Sequence, residues 1–171
     1  MSWNVAFALG LGSEGSSYKA RSKGYYQEKL KKMGEVIKTS GADIVFLQEI
    51  DWGSSRFHFI DQVQTLARES GLKYSAKALS WAINYLPFPY WPPQDHFGVM
   101  NSGGAILSRF PLSHNQVELF KKPDSQAWWY QRFYLFRYAQ AVQVHIKKQN
   151  YWVVNCHLEA FDKNNRQQMA Q

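Results

Sequence analysis

The feature that most constrains this chain is the run Asp43-Ile44-Val45-Phe46-Leu47, followed at once by Gln48 and Glu49. It is short, apolar and rich in β-formers, with no polar alternation. Such a run suits a strand covered on both faces. A strand of that kind needs a layer of structure on either side, which points to an α/β domain with helices packed on a sheet.

The flanking segments fit that plan. Trp3 to Ala8 alternates well enough for a first strand, and Gly10 to Gly24 reads as a loop rich in Gly, Ser and charge. Tyr26, Leu30, Met33 and Ile37 recur at helical spacing, and Gly41 closes that helix. Ile60, Val63 and Ala67 mark a second helix closed by Gly71. Lys73 to Lys77 reads as a strand, and Ser80 to Gly98, with its prolines and aromatics, as a long surface loop. Gly104 to Ser108 reads as a small strand before a turn. Tyr134 to Ile146 and Tyr151 to Asn155 read as paired strands, and Asp162 to Gln171 as the start of a helix. No repeat or linker divides the chain, so residues 1–171 are read as one domain. The last apolar strand has no partner segment after it, and the domain is therefore expected to be incomplete.

Four places carry residues suited to chemistry. Glu49 ends the buried run, where a carboxylate needs hydrogen bonds or a cation. Mg²⁺ is one such cation, since it takes one or two carboxylates with water and substrate oxygens. A Glu pointing to water is the plain alternative. Asn155 and His157 follow the strand Tyr151–Val154 and alternate onto one face, where both could reach a phosphate. A His bonded within its loop is the alternative there. Asn4 sits among apolar neighbours in the first strand, read as central, and its amide needs a partner. It could bond nearby backbone or orient a carboxylate or phosphate. Gly103 and Gly104 allow close backbone approach, and Arg109 could contact a phosphate, or the segment could be only a tight strand start and turn.

Charge narrows the partners. The chain carries 20 Lys and Arg against 13 Asp and Glu, a net +7, which concentrates anions near the surface. Phosphate-bearing substrates fit, nucleic acid among them. The single cysteine, Cys156, excludes an intrachain disulfide. No stretch approaches the ~20 apolar residues of a membrane helix. No signal-peptide pattern is visible, which is read as a cytoplasmic protein.

Together and in order, SWNVA, DIVFLQEID, SGGAILSRFPL and VVNCHLEAFDKNNRQQ resemble the endonuclease/exonuclease/phosphatase superfamily, over nearly the whole chain. NCHLEAF with Arg166 and Gln168 downstream is the most specific part. The resemblance implies a four-layer αββα sandwich of the DNase I-like type. It implies that Glu49 ligates Mg²⁺ or Mn²⁺, that Asn4 sits beside that metal, and that His157 bonds the scissile phosphate or its leaving oxygen. Asn155 and Asn4 join His157 as catalytic candidates, and Arg137 and Arg109 are the substrate-binding candidates. The implied activity is hydrolysis of phosphate esters, with nucleic acid one candidate substrate.

Two departures stand out. Gly104 replaces an Asn common in the family. The later Asp-x-Asn and Ser-Asp-His motifs, which supply the catalytic Asp and the main His, are absent, so this chain alone is expected to be inactive or nearly so. Two rival readings remain open. One is a lipid or inositol phosphodiesterase of the same family, using the aromatic segment 81–97 (Trp81, Tyr85, Phe88, Tyr90 and Trp91) at a membrane surface. The other is a non-catalytic binding module with the same fold.

Overall fold

The computed structural model describes residues 1–9, 21–159 and 162–169, and residues 10–20, most of the segment read from sequence as a loop, lie outside them. Two sheets face each other. The first contains β1 (Ser2–Asn4), β2 (Ile44–Asp51), β3 (Tyr74–Leu86) and β4 (Gly98–Ser108), in the order β1-β2-β4-β3. The second contains β5 (Leu112–Leu119), β6 (Tyr138–Ile146) and β7 (Gln149–His157), in that order. β1 pairs parallel to β2, and every other pairing is antiparallel.

Helices α1 (Lys23–Thr39) and α2 (Gln62–Ser70) cover the outer face of the first sheet. Their starts are capped as their sequences direct. Ser22 Oγ accepts from the Tyr25 amide at 3.2 Å, and Asp61 Oδ1 from the Gln64 amide at 3.0 Å. Gly71 closes α2 in the left-handed conformation, φ +78°, which favours glycine. The helical stripe Tyr26, Leu30, Met33 and Ile37 packs with Val63 and Leu66 onto Val45, Leu47 and Ile50 of β2 and onto Ala105 and Leu107 of β4. This is the main core, and it makes β2 the strand buried on both faces.

The second sheet packs on the other face of the first, with Tyr138, Gln140, Val142 and Val144 of β6 turned inward and buried. The α/β class and the two-sheet sandwich therefore hold. Among the described residues three layers are built. The outer face of β7 is open, with Trp152, Val154 and Cys156 exposed. Two short helices, α3 (Trp128–Phe133) and α4 (Lys163–Met169), lie after β5 and β7. No helix among the described residues is long and apolar enough to cross a membrane.

Several expectations are corrected. The first strand ends at Asn4, where residues Ala6–Ala8 turn in a tight helical step, and β1 is an edge rather than a central strand. Residues 80–98 are not one long loop. β3 runs on through Trp81 and Tyr85 to Leu86 and pairs with a β4 that begins at Gly98, leaving a short connection. Proline density concealed this, because the prolines lie in the connection alone. The strand at 134–146 begins only at Tyr138, and β5 and α3 were not foreseen. β5 has almost no buried face, so it lacks the hydrophobic alternation that marks a strand.

Gly103 and Gly104 have a packing reason. A Cβ on Gly103 would lie 1.9 Å from the Ala78 carbonyl oxygen, and one on Gly104 would lie 1.7 Å from the Tyr138 hydroxyl. The first obstacle is paired backbone of β3 and cannot swing aside. Gly103→Ala should therefore destabilise the fold by about 1–3 kcal/mol, the usual cost of overpacking. Chemical denaturation of the two proteins measures this directly, and an unchanged midpoint would contradict the close β3–β4 approach.

Candidate active site

The site begins with a break in β2. Strand alternation would send Glu49 to the helix face with Val45 and Leu47. Instead the register against β4 shifts between Gln48 and Ile50, and Glu49 takes a left-handed backbone, φ +55°. This is a β-bulge, a device that re-aims a side chain at the cost of a strained residue. Ile50 returns to the helix-side core, while Gln48 faces the second sheet. Glu49 is released into the opening where the two sheets meet.

His157, the last residue of β7, comes from the opposite sheet. Its Nε2 lies 3.4 Å from Glu49 Oε1 and 2.7 Å from Arg137 Nη1. One ring nitrogen can serve only one of them at a time. It accepts from the Arg137 guanidinium or donates to the Glu49 carboxylate, according to tautomer and charge. Asn4 completes the group. Its Oδ1 accepts from the Ala6 amide at 3.0 Å, and its side chain bonds Glu49. Asn4, Glu49, His157 and Arg137 thus converge. Glu49 and His157 line a narrow crevice with Phe7, Ser80, Trp81, Ser102, Gly103 and Leu135.

Two of the remaining candidates stand elsewhere. Asn155 shares the inward face with His157 but is almost wholly buried beneath the site. Its Oδ1 accepts from Gln48 Nε2 at 2.6 Å, and its Nδ2 donates to the Leu47 carbonyl at 3.0 Å. Its amide joins the two sheets. Arg109 follows β4 at the far end of the sheet, where its Nε donates to Asp43 Oδ1 at 2.5 Å and its amide to the Asp43 carbonyl. Because β2 and β4 are antiparallel, the residue after Ser108 lies at the start of β2, whereas Glu49 lies near its end. Arg109 therefore lies away from Glu49 and His157, in an exposed ion pair with Asp43.

Arg137 was foreseen, whereas its partners Glu159 and Tyr134 were not. Arg137 is buried, and its Nε donates to Glu159 Oε2 at 3.4 Å while its Nη2 donates to the Tyr134 hydroxyl at 3.2 Å. Glu159 belongs to the NCHLEAF motif, whose Ala160 and Phe161 lie outside the described residues, as does the Gln168 side chain. A second buried ion pair stands behind the crevice. Arg56 meets Asp51 through two bonds of 2.8 and 3.1 Å and lies against the rings of Phe7, Phe97, Phe57 and Trp81. Nothing in the spacing of Asp51 and Arg56 announced a buried pair, since the turn between them decides it.

The electrostatics favour an ionised Glu49. Burial alone would raise its pKa. Hydrogen bonds from His157 and Asn4, with the nearby positive charges of His157 and Arg137, outweigh that and hold it below the ordinary 4.5. Burial also pushes the Tyr138 phenol well up, keeping it protonated beneath the site.

This arrangement lies on a fold with known relatives. Residues 1–152 match the Endonuclease/Exonuclease/phosphatase family, and the chain belongs to it. No curated protein matches the sequence. Among solved structures, an endonuclease/exonuclease/phosphatase from Beutenbergia cavernae is similar at a TM-score of 0.60 and 19% identity, covering 96% of this chain and 39% of its own. TDP2 from Caenorhabditis elegans is similar at 0.54 and 16%, covering 98% and 36%. An endonuclease/exonuclease/phosphatase family protein from Leptotrichia buccalis is similar at 0.56 and 15%, covering 99% and 60%. These likenesses establish the DNase I-like fold. The chain spans well under half the length of the first two.

The pH dependence of stability has a definite sign. A carboxylate whose pKa is depressed by folding contributes stability above its unfolded pKa, and loses it as pH falls through the folded value. Glu49 should therefore add to acid destabilisation below pH 4.5. Glu49→Gln should flatten that limb in thermal melts taken from pH 6 down to about pH 3. An identical acid limb in both proteins would show that Glu49 is not held by His157 and Asn4.

Proposed function

We propose that the chain supplies Glu49 and His157 to the site of a metal-dependent phosphoesterase, acting on phosphodiesters with nucleic acid the preferred class. The observation that carries this reading is the bulge that turns Glu49 out of the core to meet Asn4, His157 and Arg137. A strained, re-aimed carboxylate beside a cationic pair is poor design for stability alone, and good design for gripping a phosphate. Family membership supports hydrolysis, and the net charge of +7 supports an anionic substrate.

The donor set fits Mg²⁺ or Mn²⁺ as a partial ligand set. Glu49 offers one hard carboxylate, a quarter exposed, with the Asn4 amide beside it. No group of three or more acidic, His or Cys side chains is found among the described residues. Mg²⁺ accepts such a sparse set because it keeps several waters and takes substrate oxygens. When bound, the metal neutralises phosphate charge and stabilises the departing oxygen.

The protein's own groups have separate tasks. Glu49, with the Asn4 amide beside it, would hold the metal. Arg137 keeps a fixed positive charge next to His157, and its bonds to Glu159 and Tyr134 stop it from swinging to solvent. His157 presents a ring nitrogen to a phosphoryl oxygen, giving or holding the proton as water adds and the ester bond breaks. Electrostatic stabilisation of this kind is the largest contribution in most such reactions.

A second reading, a lipid or inositol phosphodiesterase, draws on one observation. Trp91 and Trp128 are 80% and 78% exposed, and Trp rings suit a membrane interface.

The test is Mn²⁺ binding together with hydrolysis of bis(p-nitrophenyl) phosphate and of single-stranded DNA. Glu49→Gln should weaken Mn²⁺ binding by about tenfold or more, and whatever turnover the chain supports should fall by about a hundredfold or more, a size typical of losing one electrostatic stabiliser. His157→Ala should lower turnover similarly while leaving Mn²⁺ affinity within about twofold. Metal binding and turnover that survive Glu49→Gln would overturn the assignment.

A further inference from the structure

Beside the crevice lies a second hollow of a different character. Its volume is about 380 Å³, and eight of its eleven lining residues carry aromatic rings. Trp81, Phe88 and Phe97 come from the β3–β4 hairpin, and Trp129, Tyr130 and Tyr134 from α3 and its end. Two residues, Trp81 and Leu135, line both this hollow and the crevice at Glu49 and His157. Tyr134 is bonded to Arg137. A group seated among the rings is therefore one side chain away from the phosphate-facing residues.

The two walls are tied together. Trp81 Nε1 donates to the Phe133 carbonyl at 2.9 Å, and the Phe136 amide to the Ser80 carbonyl at 2.9 Å. The Phe97 amide donates to the Phe88 carbonyl at 2.8 Å, and those two rings meet edge to face at 5.3 Å. Held in this way, the floor ring of Phe97 is buried but the outer rings are still open. Phe88 is 45% exposed, Tyr90 69% and Trp129 50%, whereas the core ring of Phe57 is fully buried. Simple packing under a sheet edge would have closed them.

We propose that this hollow is a stacking subsite for one nucleobase of the strand whose phosphate lies at Glu49 and His157. The proposal rests on the phosphoesterase reading above. Ring faces hold a planar base by stacking, whereas an alkyl chain gains only from contact area. One cation links the two, since Arg137 donates to the Tyr134 hydroxyl of the hollow at 3.2 Å and lies 2.7 Å from His157 Nε2 of the crevice, where the phosphate of the same ligand would meet it. Every base has a π-face, so the subsite tolerates sequence and demands an unpaired nucleotide.

The test is binding without turnover, in metal-free buffer, read by tryptophan fluorescence. The probes are an oligothymidylate, an abasic oligomer of the same length, and vesicles of phosphatidylcholine and phosphatidylserine. The oligothymidylate should bind about tenfold or more tighter than the abasic oligomer, the scale of a single stacked base. Trp129→Leu and Phe88→Leu keep an apolar side chain at exposed positions and remove a ring. Each should reduce the preference severalfold and leave abasic binding within about twofold. Equal affinity for the two oligomers overturns the proposal, as does a preference that survives both Leu variants. Tight vesicle binding that depends on the same two rings, with no base preference, assigns the hollow to lipid and overturns it as well. Glu49→Gln should keep the base preference. A protein that stacks bases while its Mn²⁺ affinity is unchanged by Glu49→Gln would thus refute the catalytic reading alone, and one whose Mn²⁺ affinity falls in Glu49→Gln but that shows no base preference would refute the subsite alone.

Discussion

The site depends on one buried amide. Asn155 of β7 reaches across the sandwich, accepts from Gln48 and donates to the Leu47 carbonyl of β2. Gln140 of β6, also buried, bonds the Ala76 carbonyl of β3. Apolar packing alone lets two sheets slide, because area burial has no direction. Hydrogen bonds between buried amides do have direction, and leaving one unmade costs about 1–3 kcal/mol. They fix the offset of the sheets, and that offset brings the bulge after Gln48 opposite the end of β7. Glu49 and His157 meet because Gln48 and Asn155 meet, one residue and two residues earlier in their strands.

Above that lock the charges are arranged in tiers. Arg56 and Asp51 are paired in full burial, with aromatic rings around the guanidinium. Breaking such a pair from one side typically costs about 3–5 kcal/mol, because it strands a buried charge. Phe7 and Trp81, which flank the crevice, rest on that guanidinium. Arg137 and Glu159 form the next tier, and Glu49 with His157 the one nearest the opening. Rigidity is greatest below and hydrogen-bonding freedom greatest where a ligand would arrive, the order in which a pre-organised anion site is useful.

Much was legible in the sequence because it rested on local periodicity. Tyr26, Leu30, Met33 and Ile37 had to form one helical stripe. Asp43 to Leu47 had to be covered on both faces, and alternation placed Asn155 and His157 on one face. The family resemblance, carried by short motifs in order, led to Glu49, Asn4, His157 and Arg137 for the same reason, as strand-end residues are named by their strands. The elements missed were those with weak periodicity. β5 has little buried face, and α3 is short and has no buried residue.

Tertiary structure alone decided the rest. Arg109 looked as available as Arg137, and only the antiparallel pairing of β4 with β2 sends it to the far end, against Asp43. Asn155 looked as catalytic as His157, and only the depth of the sandwich turns its amide into a strut. Gly104 looked like a lost contact, and the Tyr138 ring fills the space that a side chain there would need. The direction of Glu49 follows from a bulge that no local pattern announces. The sequence by itself determined which residues share a strand, a face and a charge, because those are properties of neighbours along the chain. Which of them meet depended on register and sheet offset, set by hydrogen bonds between residues about a hundred positions apart, Gln48 and Asn155 above all.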